Sequence, residues 1–296
     1  NYDILDSLFY SLNGADEEPL NWGLDPNDFG DGRRLAHNGD FNVDLPVTDY
    51  LLGANTLTIR AVDSLGREFQ ETATGTRGSG SISLPQTIDW STVTDVQDVG
   101  QRVDGDWTAD ASGLRVVRTG YDRLFLIGEN SWQDYEVSCS VTVNEVHYPT
   151  GPLSGAPGVG LLLRFAGHIE GGYRNWPEAQ PKWGYHPFGS IGWLRYYSAS
   201  TPTVQWYHGD YEVAVNYGGA KAASSSFELD VPPETTLFGE RAMVTNFGEM
   251  PQVAAGETFQ MKMRCETLAD APDGDGRTRY SYKVWLSTDP EPAEWS

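Results

Sequence analysis

The densest run of chemistry-bearing side chains lies between Tyr173 and Tyr211, where eleven aromatic residues fall within 39 positions. The chain's aromatic content of 12% would place roughly five there. Four of the five histidines (His147, His168, His186 and His208) lie in or near this run. Sugars offer flat CH faces and edges of hydroxyls. Trp and Tyr rings stack on the faces, while His, Arg, Asn and Asp bond the edges. The segment is rich in Gly and Pro, so much of it reads as loop. The residues best suited to contact a glycan are Trp176, Trp183, Tyr185, His186, Trp193 and Arg195. Between Leu161 and Gly209, Arg164, Arg174, Lys182 and Arg195 outnumber Glu170 and Glu178, a local +2 within a chain of net charge -22. Such a patch suits an anionic polymer, uronic or sulfated. The opposing reading is that these rings plug an insertion against a β-sandwich. Trp193 and Trp206 stand in strand-like runs where burial is expected.

Other constellations are weaker. Asp270, Asp273 and Asp275 sit in a Gly-bearing loop whose oxygens could wrap calcium, although the spacing is not that of an EF-hand and suits an ordinary solvated hairpin turn better. Asp25, Asn27, Asp28 and Asp31 form a second acidic loop of the same kind. Calcium is the one cofactor these loops suggest. Cys139 shares an alternating face with Val137 and Val141, and Cys265 shares one with Phe259, Met261 and Met263. Both thiols therefore point inward. They form one cross-strand disulfide or remain inert buried thiols. No zinc-type Cys/His spacing occurs, nor His-Glu-x-x-His, Gly-x-Ser-x-Gly, a P-loop or Gly-x-Gly-x-x-Gly. Tyr185, His186 and Arg195, or Tyr207 and His208, have the residue types of a lyase base and its uronate partner. Spacing alone assembles neither, so no catalytic residue is assigned and catalysis ranks below binding.

The elements that must hold these residues are strands. With Gly 33 and Pro 17 in 296 residues and no long stretch of helical periodicity, the chain reads as turn-rich and all-β. Acidic residues number 42 against 20 basic, which argues against nucleic acid and anionic membrane surfaces as partners. No apolar run approaches the length of a membrane span. In the first part, Leu8–Leu12, Phe41–Leu45 and Asn55–Asp63 read as strands. Leu57, Ile59 and Ala61 point inward, and Ser64–Arg67 is a hairpin turn before a returning strand from Glu68 to Thr74. The small residues at 79–86 read as a linker. Beyond it, strands are expected at Leu114–Val117, Leu124–Ile127, Tyr135–Val143, Val159–Phe165, Phe259–Leu268 and Tyr280–Leu286.

The stretches Tyr10-Ser11-Leu12-Asn13-Gly14 and Leu52 through Gly66 resemble the bacterial Ig-like and cadherin-like modules of extracellular proteins. The resemblance covers residues 1–78 and implies a sandwich serving as spacer or stalk. Asp106-Trp107-Thr108 with Gly113–Val116, Ser131–Val137, Gly158–Phe165, Tyr282–Trp285 and Glu291–Trp295 are similar to a concanavalin A-like lectin/glucanase domain of the laminin-G-like kind. That likeness spans 87–296 and implies a jelly roll. The acidic triplet Glu-x-Asp-x-x-Glu of that family's glucanases occurs on no strand here. Taken with the aromatic loop cluster, the resemblances lead to the expectation of a secreted or cell-surface module that binds a polysaccharide through those loops. The alternatives are a structural subunit of an extracellular fibre or surface layer, and a glycosidase or polysaccharide lyase. The strand usually preceding Tyr2 and the strand usually following Trp295 are both missing from the pattern. The expected reading is an excerpt of a longer chain with further domains, and the competing one is strand exchange with other copies of itself.

Overall fold

The computed structural model describes residues 4–20, 22, 40–118, 123–145, 158–165, 190–198, 207–215, 218–220, 227–231, 252–253, 255–267, 278–293 and 295. Among these the regular elements are strands in antiparallel sheets, joined by single turns of 3₁₀ helix at Val47–Asp49, Trp90–Thr92 and Val96–Asp98. The chain is all-β. The described residues up to Glu129 belong to one compact unit and those from Asn130 onward to another. Residues 79–86 thus run inside the first unit.

In the first unit, β1 (Leu5–Leu12), β2 (Glu18–Pro19), β3 (Gly53–Asp63) and β4 (Glu68–Arg77) form a sheet in the order β2-β1-β3-β4. Alternation decides its faces. Leu8 and Tyr10 of β1 are buried together with Leu20, and Leu57, Ile59 and Ala61 of β3 pack beside them as their spacing predicts. Val43 and Leu45 also pack on this cluster, but residues 40–46 form no strand. The alternation at 41–45 therefore marks a covering segment, not a ladder. The β3–β4 hairpin turns where Gly66 takes φ 73, a backbone region that glycine enters without steric cost. Asp63, 5% exposed, closes that turn. Its Oδ1 accepts from the backbone N–H groups of Leu65 and Arg67, both at 2.9 Å, and its Oδ2 accepts from Arg67 Nε at 2.7 Å. These bonds hold the carboxyl below the usual range. The N–H of Arg67 contributes most, and burial works against it. Buried Asn55 has a matching role at the other end of β3, bonding both the N–H and the C=O of Leu51 at 2.8 Å.

Two short pairs also belong to the first unit, β5 (Gln101–Asp104) with β8 (Leu124–Leu126) and β6 (Trp107–Asp110) with β7 (Gly113–Val116). The Trp107 indole N–H donates to the carbonyl of Asp104 at 3.0 Å, and its ring meets Phe125 at 6.0 Å between centroids.

The second unit contains two larger sheets. One runs β14 (Phe227–Val231), β17 (Thr278–Leu286), β16 (Thr258–Thr267), β9 (Tyr135–Thr142). The other runs β10 (Gly158–Leu163), β11 (Ser190–Ser198), β12 (Tyr207–Val215), β13 (Gly218–Ala220), with β15 (Gln252–Val253) also pairing with β12. The core lies between them. Phe259, Met261, Met263 and Cys265 of β16 alternate inward at 0–1% exposure, Tyr280, Tyr282 and Val284 of β17 lie beside them, and Leu163, Leu161 and Val159 of β10 pack from the opposite sheet. Burying each large side chain of this kind stabilises the fold by about 1.5–3 kcal/mol.

The inward orientation of both thiols follows the sequence, but a disulfide between them does not form. β9 and β16 are neighbours, yet the register sets Cys139 opposite Met261 and Cys265 opposite Tyr135, and both cysteines are free. Four residues of offset amount to about 13 Å along the ladder, far beyond the reach of a disulfide. Burial pushes the Cys139 thiol up to about 11 and raises that of Cys265 as well.

The segment after β17 folds back over the outer face of its own sheet. Glu291 accepts from Lys262 Nζ through both oxygens at 2.8 Å, and Lys283 Nζ donates to the carbonyl of Pro292 at 2.6 Å. The Trp295 ring lies 4.5 Å from both Arg264 Cζ and Lys283 Nζ. Lys283, 3% exposed, is a buried cation made tolerable by these partners.

Candidate functional site

Only two of the six residues expected to contact a glycan lie among the described residues, Trp193 and Arg195, both on β11. Trp176, Trp183, Tyr185 and His186 lie outside them, as do Asp270, Asp273, Asp275 and the acidic loop at 25–31. Among the described residues, no three His, Cys, Asp or Glu side chains come together as a metal site.

The faces of the β10–β11–β12 sheet can be assigned from Gly192. It is buried, and a Cβ built on it would stand 2.3 Å from Cδ2 of Tyr282 in the opposite sheet. Position 192 therefore faces the core. Its cross-strand partner Leu161 packs against that core, and Leu163, 3% exposed, lies opposite Ser190 on the same side. Alternation then gives positions 191, 193, 195 and 197 to the other face of the sheet. Gly160, which is exposed, lies opposite Trp193, and Gly158 lies opposite Arg195.

On the other side of β11, the register sets Glu212 opposite Trp193, Asp210 opposite Arg195 and His208 opposite Tyr197. His208 also lies opposite Gln252 of β15. By register and alternation, positions 193, 195, 197, 208, 210 and 212 share one face of the sheet. Residues on a strand's shared face repeat about every 7 Å, and adjacent strands lie about 4.8 Å apart. On β10 the two glycines add no side chain to this face, and glycine in a strand interior is a recurring mark of close approach by a ligand or another backbone.

Asp210 and Glu212 are the residues that sequence reasoning missed. Their signal was the alternation of Tyr207–Val215, which puts 208, 210 and 212 on one side. Arg164 has a structural role. Its guanidinium donates to the carbonyl of Gln133 at 2.7 Å, Asp134 Oδ1 at 3.1 Å and Thr267 Oγ1 at 2.8 Å. Its backbone N–H donates to the Tyr135 hydroxyl at 2.8 Å, and burial pushes that phenol up to about 12. Arg164 therefore fastens the start of β9 to the ends of β10 and β16. The local +2 counted along the sequence is redistributed accordingly: Arg164 is tied to Asp134, and Arg195 stands opposite Asp210.

No family model, curated protein or solved structure matches the chain.

Proposed function

We propose that the chain is an extracellular carbohydrate-binding module, an Ig-like spacer followed by a concanavalin A-like jelly roll, and that it recognises a polysaccharide on the face of β11 bearing Trp193, Arg195 and Tyr197. The observation that carries this reading is the register of β10, β11 and β12. It sets the Trp193 position between Gly160 and Glu212, and the Arg195 position between Gly158 and Asp210. A stacking ring flanked by open backbone on one side and polar groups on the other is what recognition of a pyranose requires. Since Arg195, Asp210 and Glu212 together sum to one negative charge, the site favours a neutral polymer over the anionic one suggested by the sequence.

A glycan array with wild type, Trp193→Ala and Arg195→Ala tests the reading. Losing one stacking contact should weaken binding to the selected glycan about tenfold. Binding unchanged in Trp193→Ala, or no glycan bound by wild type, would reject it. Sugar released from the bound polymer, and lost in Glu212→Gln, would instead make the acidic pair catalytic.

A further inference from the structure

β4 is an open edge. Among the described residues no strand pairs with its outer side, and every residue from Glu68 to Thr76 is exposed. The core of the sheet stops one strand short of it. Leu57, Ile59 and Ala61 pack inward, but their β4 partners Ala73, Glu71 and Phe69 do not, and Phe69 remains 58% exposed. A ten-residue strand is therefore held by a single ladder. It contains no proline and no lysine, and its register with β3 runs without a bulge, so the usual devices that blunt an edge are missing apart from the charges of Glu68, Glu71 and Arg77.

We propose that β4 is the surface through which two copies of this chain associate, edge to edge and antiparallel, into one continuous sheet. The occupant is specified by the strand's own sequence. A two-fold axis normal to the sheet keeps both core faces on one side, so odd positions must meet odd ones. Centring the pair on Ala73 sets Thr74 opposite the partner's Thr72, Gly75 opposite the partner's Glu71 and Arg77 opposite the partner's Phe69. Arg77 is then across from a ring and diagonal to a carboxylate, and the symmetry repeats this at the other end. The same sheet already uses that pairing. Phe9 and Arg60 are cross-strand partners, and Arg60 Cζ lies 4.5 Å from the Phe9 ring centroid. Arg77 gives one N–H to the carbonyl of Tyr50 at 2.6 Å, and a guanidinium has five. Centring on Thr72 instead would set Arg77 opposite the partner's Arg67, a like-charge pair. Nine paired residues bury less than a standard interface, so the dimer should have a dissociation constant on the order of tens of micromolar.

The experiment is sedimentation equilibrium from about 1 to 500 µM on the full chain, with three variants. Wild type should dimerise over that range. Glu71→Arg opposes like charges at both ends and should weaken the dimer by roughly tenfold or more, and adding Arg77→Glu should restore it. Glu71 is exposed, so an unchanged Tm checks that the variant folds. Ala73→Cys places two thiols across the axis and should give a disulfide-linked dimer on mild oxidation. Thr72→Cys, on the other face, should not; of the native thiols, Cys265 is buried, and partly buried Cys139 is held protonated by burial, so a Cys139→Ser, Cys265→Ser background serves as the control. A chain that stays monomeric at 500 µM overturns the proposal. So does a dimer that tolerates Glu71→Arg or fails to cross-link through position 73.

Discussion

Replacing Gly192 with alanine tests the face assignment on which the candidate site rests. The added methyl would stand 2.3 Å from Cδ2, 2.6 Å from Cε2 and 2.7 Å from Cγ of Tyr282. Comfortable carbon–carbon contact begins near 3.5 Å, so ring and strand must separate by about 1 Å. There is little room for this. Tyr282 is 2% exposed, and its cross-strand partner Met263 is 0% exposed. Overpacking of this kind costs about 1–3 kcal/mol, and the stiffer unfolded chain returns about 0.4–1 kcal/mol. The net loss should be about 1–2 kcal/mol. In urea, with tryptophan fluorescence as the probe, that lowers the midpoint by roughly 0.5–1 M. Gly160→Ala, on the opposite face and exposed, should stay within about 0.5 kcal/mol of wild type. Gly192→Ala combined with Tyr282→Leu should cost less than the two changes added separately, because the shorter side chain vacates the space the methyl needs. If Gly160→Ala proves the more damaging of the two glycine changes, the faces are reversed, and Trp193 and Arg195 belong to the core.

Two further outcomes follow from buried polar groups. With thiol ionisation raised by burial at both Cys139 and Cys265, the native protein should resist alkylation at pH 8 and react only in denaturant; dithiothreitol should leave Tm unchanged, and a fall in Tm would point to a bridge. The Asp63 carboxyl is held below the ordinary aspartate range, so its contribution is complete above that range and disappears as pH falls through the lower folded value. Asp63→Asn should therefore lower Tm at pH 7 and flatten the acid limb of the Tm–pH curve, and parallel curves for variant and wild type would refute the role given to the β3–β4 turn.

Much of the fold was legible because its strands are buried on one side only. Phe259, Met261, Met263 and Cys265 alternate cleanly in the sequence, and they alternate cleanly into the core. The hairpin at Ser64–Arg67 was legible from its glycine and from the aspartate before it. Other features depend on partners distant in sequence. The pattern at 41–45 is that of a strand, yet the segment covers the sheet without joining it, because periodicity reports a buried face and not a hydrogen-bonded ladder. β4 was predicted as a returning strand, but its exposure could not be read, since Phe69 and Ala73 alternate as core residues do. The small residues at 79–86 have linker composition, yet the boundary of compactness lies after Glu129, where no such composition occurs.

Register was the variable the sequence concealed most completely, and it decides both the thiol pair and the candidate site. Two inward cysteines on adjacent strands satisfy every local condition for a bridge, and an offset of four residues prevents it. At β11 the same variable changes the electrostatics. The positive window counted from Leu161 to Gly209 ends one residue before Asp210, so the acids that oppose Arg195 and Trp193 fell outside it. A hairpin brings residues fifteen or more positions apart to within about 5 Å, and Coulomb interactions follow that distance and not the separation along the chain. Charge sums over a sequence window are therefore poor guides to ligand charge in antiparallel proteins. The register that sets Arg195 opposite Asp210 is why a neutral polymer, and not an anionic one, is the ligand proposed above.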